Sequence, residues 1–231
     1  MACPTGGAVI LNQPGQVLAD VDLGGCGIDV QAPNVVIHNV KAHSSWNAGY
    51  LLIVRDGYSA AITDSELYGE GLTTTSVEYA IFAPSSAQAT IARVNMHHCA
   101  DCVQGDHVIM TDSYIHDMAN IAGTSHPDGF QCNASCSGTV LRHNTVQNYT
   151  GNNMGVALFC DFGTPNGAVV DHNLIDMGGS GSYAIWACGV NHRITDNVIG
   201  AGYYGWLGIP SGSGSGDVIS GNVTLGGQPL T

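Results

Sequence analysis

Two acids in this chain recur in one setting. In "ADCVQGDH" Asp101 stands three residues before Gln104, and in "SHPDGFQC" Asp128 stands three residues before Gln131. If both phrases lie on neighbouring turns of a repeating fold, the carboxyl groups fall about 5 Å apart and repel. One then keeps its proton to higher pH unless a cation lies between them. That spacing, about 5–5.5 Å, suits the acid and nucleophile of a retaining glycoside hydrolase. It also suits Ca2+, which prefers oxygen ligands, with Asp106 and Asp161 as further candidate donors. Histidines crowd the same phrases: His97, His98 and His107 beside the first, His116 and His126 beside the second. An imidazole titrates near neutrality and can take or give a proton, so the cluster points to proton transfer.

The elements that must position these groups are short strands in a repeat. A few β-branched residues, a polar residue, Asn or Ser, then an apolar pair recur as "NVVIHNV", "AAITDSEL", "TIARVNM", "VIMTDSYI", "TVLRHNTV", "AVVDHNLI", "RITDNVI" and "VISGNVT". The Asn/Ser column is Asn39, Ser65, Asn95, Ser113, Asn144, Asn173, Asn197 and Asn222, expected to form a hydrogen-bonded ladder at a bend. His38, His143 and His172 precede column residues and are read as structural. A second strand set lies between: "YLLIV", "YAIFA", "DCVQG", "DGFQC", "GVALF", "YAIWA" and "GWLGI". Helical periodicity is absent, and Gly, Ser, Asn and Pro clusters separate the strands.

Short strands in a unit of variable length predict an all-β, right-handed parallel β-helix, a single solenoid domain over 1–231 with about 7–8 coils. Residues 1–34 would form the N-terminal cap and first coil, and 210–231 the last coil and tail. A β-sandwich is the alternative, but hairpin dipeptides are scarce.

Aligning the second strand set gives two outward columns. One reads Tyr79, Asp101, Asp128, Met154, Tyr183, Tyr204; the other Phe82, Gln104, Gln131, Ala157, Trp186, Leu207. An open strip of carboxylates and amides between aromatic residues is what a sugar chain needs: rings stack on C–H faces and polar groups bond hydroxyls.

Composition narrows the partners. Hydrophobic residues make up 44% and charged ones only 10%, so the chain folds rather than staying disordered. With 5 basic against 18 acidic residues the net charge is −13, which argues against nucleic acid. No apolar run reaches the ~20 residues of a membrane span. The 8 cysteines, an even number, point to disulfides and an oxidising, extracellular compartment. The opening "MACPTGG" has no apolar leader, as expected of a mature secreted chain with an added initiator Met. Expected disulfides are Cys160 with Cys188 and Cys3 with Cys26. Cys99, Cys102, Cys132 and Cys136 would close two small loops, cross-pair between coils, or hold zinc. A monomer is expected.

At "HPDGFQ" the chain resembles the secreted right-handed parallel β-helix proteins, a superfamily that includes pectate lyases, polygalacturonases and alginate lyases or epimerases. The phrase is similar to the Asn-Thr-Asp-Gly-aromatic-Asp strand of polygalacturonases. Asp128 matches its first acid, and Gln131 stands where the second would be. Neither the downstream Arg-x-Lys nor the Lys or Arg base of pectate lyases is found. The phrases "DSYIHD" and "HPDGFQ" together resemble those of short actinobacterial β-helix proteins. Size and secreted character are similar to the small hyaluronate lyases of streptomycetes. The resemblance implies a polysaccharide lyase that cleaves a uronate chain by β-elimination. His126 would be the base, with His98 or His116 as second candidates, and Tyr183 the acid. Gln104, Gln131, Asn152 and Asn153 would hold the uronate carboxylate, and Tyr79, Trp186 and Tyr204 the sugar faces. A glycoside hydrolase using Asp101 and Asp128, and a non-catalytic glycan-binding module, are the alternatives.

Overall fold

The computed structural model describes residues 7–43, 49–75, 77–120, 127–149, 154–179 and 181–231. Cys3, His126, Asn152 and Asn153 lie outside them. The chain forms a parallel β-solenoid of about 7 turns, all-β, with two sheets. Among the described residues the front sheet has 9 strands and collects the whole second strand set, from Tyr50–Val54 to Gly205–Gly208. The back sheet has 16 strands in two runs, joined through the long strand Val35–His43, which turns the corner. Among the described residues all pairings between strands are parallel, which excludes the sandwich.

Register explains why the coils stack. Inside the front sheet, Ile28, Leu52, Ile81, Val103, Phe130, Val156 and Ile185 follow one another coil by coil. The back sheet adds two such columns, Ile62–Ile91–Met110–Leu141–Val170 and Leu67–Met96–Ile115–Val146–Ile175. All of these side chains are buried. Each contributes about 1.5–3 kcal/mol by leaving water, and a β-branched or linear apolar chain fits over its neighbour without a void.

The corner between the two back-sheet runs carries the expected ladder, with one correction. The backbone N–H of Ser113 donates to Asn144 Oδ1 at 3.0 Å, Asn144 to Asn173 at 2.9 Å, Asn173 to Asn197 at 2.9 Å and Asn197 to Asn222 at 3.1 Å. Towards the N-terminus the pattern continues with hydroxyls, Val40 N–H on Ser65 Oγ and Val94 N–H on Ser113 Oγ. The ladder positions there are Val40 and Val94, so Asn39 and Asn95 are each one residue out. Asn39 is an exposed corner residue bonded to Asp20, and Asn95 sits in a strand. The residue before each ladder position takes a left-handed backbone: Asn39, Asp64, Arg93, Asp112, His143, His172 and Asp196 all have φ between 50 and 56°. That conformation costs about 1–2 kcal/mol in a non-glycine residue, and the ladder bonds offset it. His143 and His172 are thus structural corner residues, whereas His38 lies within its strand.

Cys99 pairs with Cys102, Cys132 with Cys136 and Cys160 with Cys188, and Cys26 is disulfide-bonded as well. The small-loop pairing is the observed one. It removes both the cross-coil pairing and a zinc site, because no thiolate is left to ligate. No helix among the described residues is long and apolar enough to cross a membrane.

Candidate functional site

The candidate site lies on the outer face of the front sheet. Gln104 stands directly beside Phe82 on one neighbouring coil and Gln131 on the other, and Gln131 stands beside Ala157, then Trp186. Tyr50 stands beside Tyr79. Two steps before Val103 and Phe130, which pair, are Asp101 and Asp128. Rings bracket this polar centre. On one side Tyr50 stacks on Phe82 at 4.6 Å and 14°, with Tyr79 at 5.1 Å from Phe82. On the other side Tyr183 lies 5.6 Å from Trp186 and 5.7 Å from Tyr204. From the Phe82 strand to the Trp186 strand there are four inter-strand steps, roughly 19 Å.

At the last strand the register departs from the expected columns by one residue. Tyr183 pairs with Gly205 and Trp186 with Gly208. Leu207 therefore stands beside Ile185 and packs on the core instead of extending the strip. Tyr204 stays beside the strip through its ring contact with Tyr183.

The two acids are not equivalent. Asp128 donates its backbone N–H to Asp101 Oδ1 at 3.0 Å, and Met154 donates its own to Asp128 Oδ1 at 2.9 Å. Each carboxyl thus reaches one coil onward and ties the head of the next strand. Asp128 is 1% exposed, which corrects the expectation that it stands open on the strip. Burial, reinforced by the Asp101 charge, holds its carboxyl well above the usual range. Asp101 is only partly covered, and burial pushes it to about 7, with the backbone bond from Asp128 opposing and the Glu78 charge adding. Burial, then the charges of Glu78 and Asp101, raise the Tyr79 hydroxyl as well, so it stays protonated. Asp101 can therefore hold or release a proton near neutrality, with Tyr79 as a protonated neighbour.

The amides supply the recognition groups. Gln104 Oε1 and Gln131 Oε1 are buried and have no hydrogen-bond partner, and Asn133 Oδ1 is in the same state. An orphaned buried acceptor is costly, so each is a place where a ligand group gains a bond. A cavity of about 240 Å³ opens at this end, lined by Phe82, Gln104, Asp106, Asn133 and Phe162, whose ring is 81% exposed.

Comparison with known proteins returns no match: no family model, no curated protein and no solved structure aligns with this chain.

The site therefore rests on its own geometry, and that geometry separates the expected residues. Asp101, Asp128, Gln104, Gln131, Tyr79, Tyr183, Trp186 and Tyr204 share the front sheet. His98 and His116 do not. They follow or end the back-sheet strands Asn95–His97 and Tyr114–His116 and bond neither acid. His116 has both ring nitrogens engaged, by Asp117 at 2.7 Å and Asn95 at 3.0 Å. His107 is taken up by the Ser137 carbonyl at 2.6 Å. Of the candidate calcium ligands, Asp106 accepts the Ala134 N–H at 3.1 Å and lines the cavity, while the exposed Asp161 is not among its lining residues. Asp106 also gathers with Cys132 and Cys136, whose sulfurs are spent on their disulfide.

Sequence reasoning missed Glu78, Asn133 and Phe162. Glu78 is exposed beside Tyr79, and only coordinates reveal its charge on Asp101. Asn133 was legible, standing two residues beyond Gln131 on the same outward alternation. Four of the five basic residues are held in ion pairs, Lys41 with Glu66, Arg55 with Asp29, Arg93 with Asp64 and Arg142 with Asp171, and none pairs with a strip residue.

Proposed function

We propose that the protein is an extracellular, polysaccharide-active enzyme that lays a sugar chain along the front sheet and moves a proton at Asp101. The observation that carries this reading is the partly covered acid of pKa about 7, seated between two aromatic clusters on one face. A group titrating near the working pH is the most efficient proton carrier. Rings on either side would stack on sugar faces, and the partnerless amide oxygens would accept from sugar hydroxyls.

The favoured reaction is β-elimination on a uronate-containing chain of hyaluronan type. Ionised Asp101 would take the proton beside the uronate carboxylate, while the Nε2–H groups of Gln104 and Gln131 would hold that carboxylate by hydrogen bonds, with no cation needed. Stabilising the carbanion formed beside that carboxylate is what lowers the barrier. Tyr79, whose hydroxyl burial keeps protonated, and the Tyr183 hydroxyl stand on the strip to serve the leaving oxygen. The resemblance to secreted β-helix lyases supports this reading.

Hydrolysis is the second reading, favoured by the raised Asp101 acid itself, since a general acid that protonates a glycosidic oxygen needs such a pKa. The buried Asp128 is then a positioning residue. The test is incubation with hyaluronan, pectate, alginate, xylan and cellulose, with and without chelator. New ultraviolet absorbance from a conjugated alkene marks elimination. Reducing ends without it mark hydrolysis. Binding without either product sinks the enzymatic reading and leaves a glycan-binding module.

A further inference from the structure

The histidines of "MHHC" take no part in the strip, and their geometry points elsewhere. His97 lies in an outward file of rings on the back sheet. Its ring stacks between Tyr68 at 4.8 Å and His116 at 5.0 Å, which fixes its plane. His97 Nε2 is 3.3 Å from Glu66 Oε1. A carboxylate can only accept, so Nε2 carries the proton and Nδ1 is left with a lone pair. That Nδ1 lies 3.0 Å from Nδ1 of His98.

The backbone holds His98 in place as firmly as stacking holds His97. His98 has a left-handed φ of 55°, its N–H donates to the Asp117 carbonyl at 3.0 Å, and its own carbonyl packs against Gly69, where a Cβ would not fit. Two ligand nitrogens, each about 2.0–2.1 Å from one metal ion at 90–109°, are about 2.8–3.4 Å apart. The observed separation falls in that window.

We propose that His97 Nδ1 and His98 Nδ1 form a binding site for an imidazole-preferring divalent transition ion, Cu2+ or Zn2+, on the back sheet. Without metal, one of the two nitrogens must carry the proton that joins them, and the free one is His98. On binding, that proton moves from Nδ1 to Nε2 of His98 and the ion takes its place between the rings. Glu66 then does for His97 what a carboxylate does behind a metal-bound imidazole: it fixes the tautomer and strengthens the ligand. Lys41, 2.8 Å from Glu66, places a positive charge on the far side of that carboxylate. Two protein ligands leave further positions to water, and Cu2+ should bind more tightly than Zn2+. The site is on the other sheet from the strip and does not depend on the proposed reaction.

The experiment is calorimetric titration of the intact chain with CuCl2 and with ZnCl2, comparing wild type, His97→Gln, His98→Gln, Glu66→Gln and His143→Gln. The expected result is one site in wild type and in His143→Gln, weakened at least tenfold in both His97→Gln and His98→Gln, and about tenfold in Glu66→Gln. Equal affinity in all five proteins, or no binding by wild type, overturns the proposal. Electron paramagnetic resonance of the Cu2+-loaded wild type gives a reading that needs no variant to fold. Coupling to two nitrogens is expected, and coupling to fewer overturns the assignment.

Discussion

Asp128 donates its backbone N–H to the carboxyl of Asp101 at 3.0 Å while hiding its own carboxyl from water. One acid is therefore left with an open side to work with, and the other acts as its footing. Exposure and hydrogen bonding, not residue type, separate their roles.

Replacing Asp101 with Asn should cut turnover about 10²–10⁴-fold, the usual worth of a proton-transfer group, while leaving the fold intact. Steady-state kinetics with a circular-dichroism melt on the same sample checks both halves. Full turnover in this variant removes Asp101 from the chemistry.

Asp128→Ala should act through stability. It strands the half-buried Met154 N–H, at a cost of about 1–3 kcal/mol. Asp128→Asn keeps an acceptor oxygen and should recover most of that loss. Denaturant titration of the pair tells a missing bond from a missing charge.

The pH dependence has a definite sign. The folded pKa of Asp101, about 7, lies above the unfolded value of about 3.9, so the native state binds the extra proton between them. Stability from this group is complete below about pH 4 and is lost as pH rises through 7, and Asp128 shifts in the same direction. The melting temperature should fall across that window, and the slope should flatten in Asp101→Asn. An unchanged slope would show that Asp101 titrates as an ordinary carboxylate.

Trp186→Ala and Phe82→Ala should raise KM several-fold with little change in kcat, because stacking is made equally in ground and transition states. Initial rates over a range of substrate concentrations make the split. A fall in kcat alone would place these rings in the chemistry instead.

Asn173→Ala should destabilise the chain by about 2–5 kcal/mol, since it strands the Asn144 N–H and the Leu141 carbonyl in the core. Asn39→Ala removes an exposed bond to Asp20 and puts alanine in a left-handed corner, and should cost about 1–2 kcal/mol. Denaturant midpoints for the two variants test which asparagines belong to the ladder.

The coil repeat was legible because apolar columns recur wherever strands stack, and Ile81, Val103 and Phe130 announce that period plainly. Which flank of a corner each residue occupies was less legible. Val40 and Val94 hold ladder positions that carry no polar side chain, so the neighbouring asparagines drew the alignment one residue aside. The same slip at Gly205–Gly208 turned Leu207 inward. Asp101, Gln104 and Gln131 could be placed together from register alone. The burial of Asp128 could not, because cover comes from the fold around it and not from its own phrase. The histidines misled for a related reason: nearness in sequence brought His98 and His116 close to the acids, but a sharp bend put them on another sheet.

The two ladders point in opposite directions along the stack. At the asparagine corner each turn offers its N–H forward to a side chain on the following turn, as Asn144 does to Asn173. On the strip the following turn reaches back, as Asp128 does to Asp101. Shortening the spiral from either end therefore leaves a different backbone group without company. A graft of one extra winding into the middle would heal only if it brought both kinds of connector.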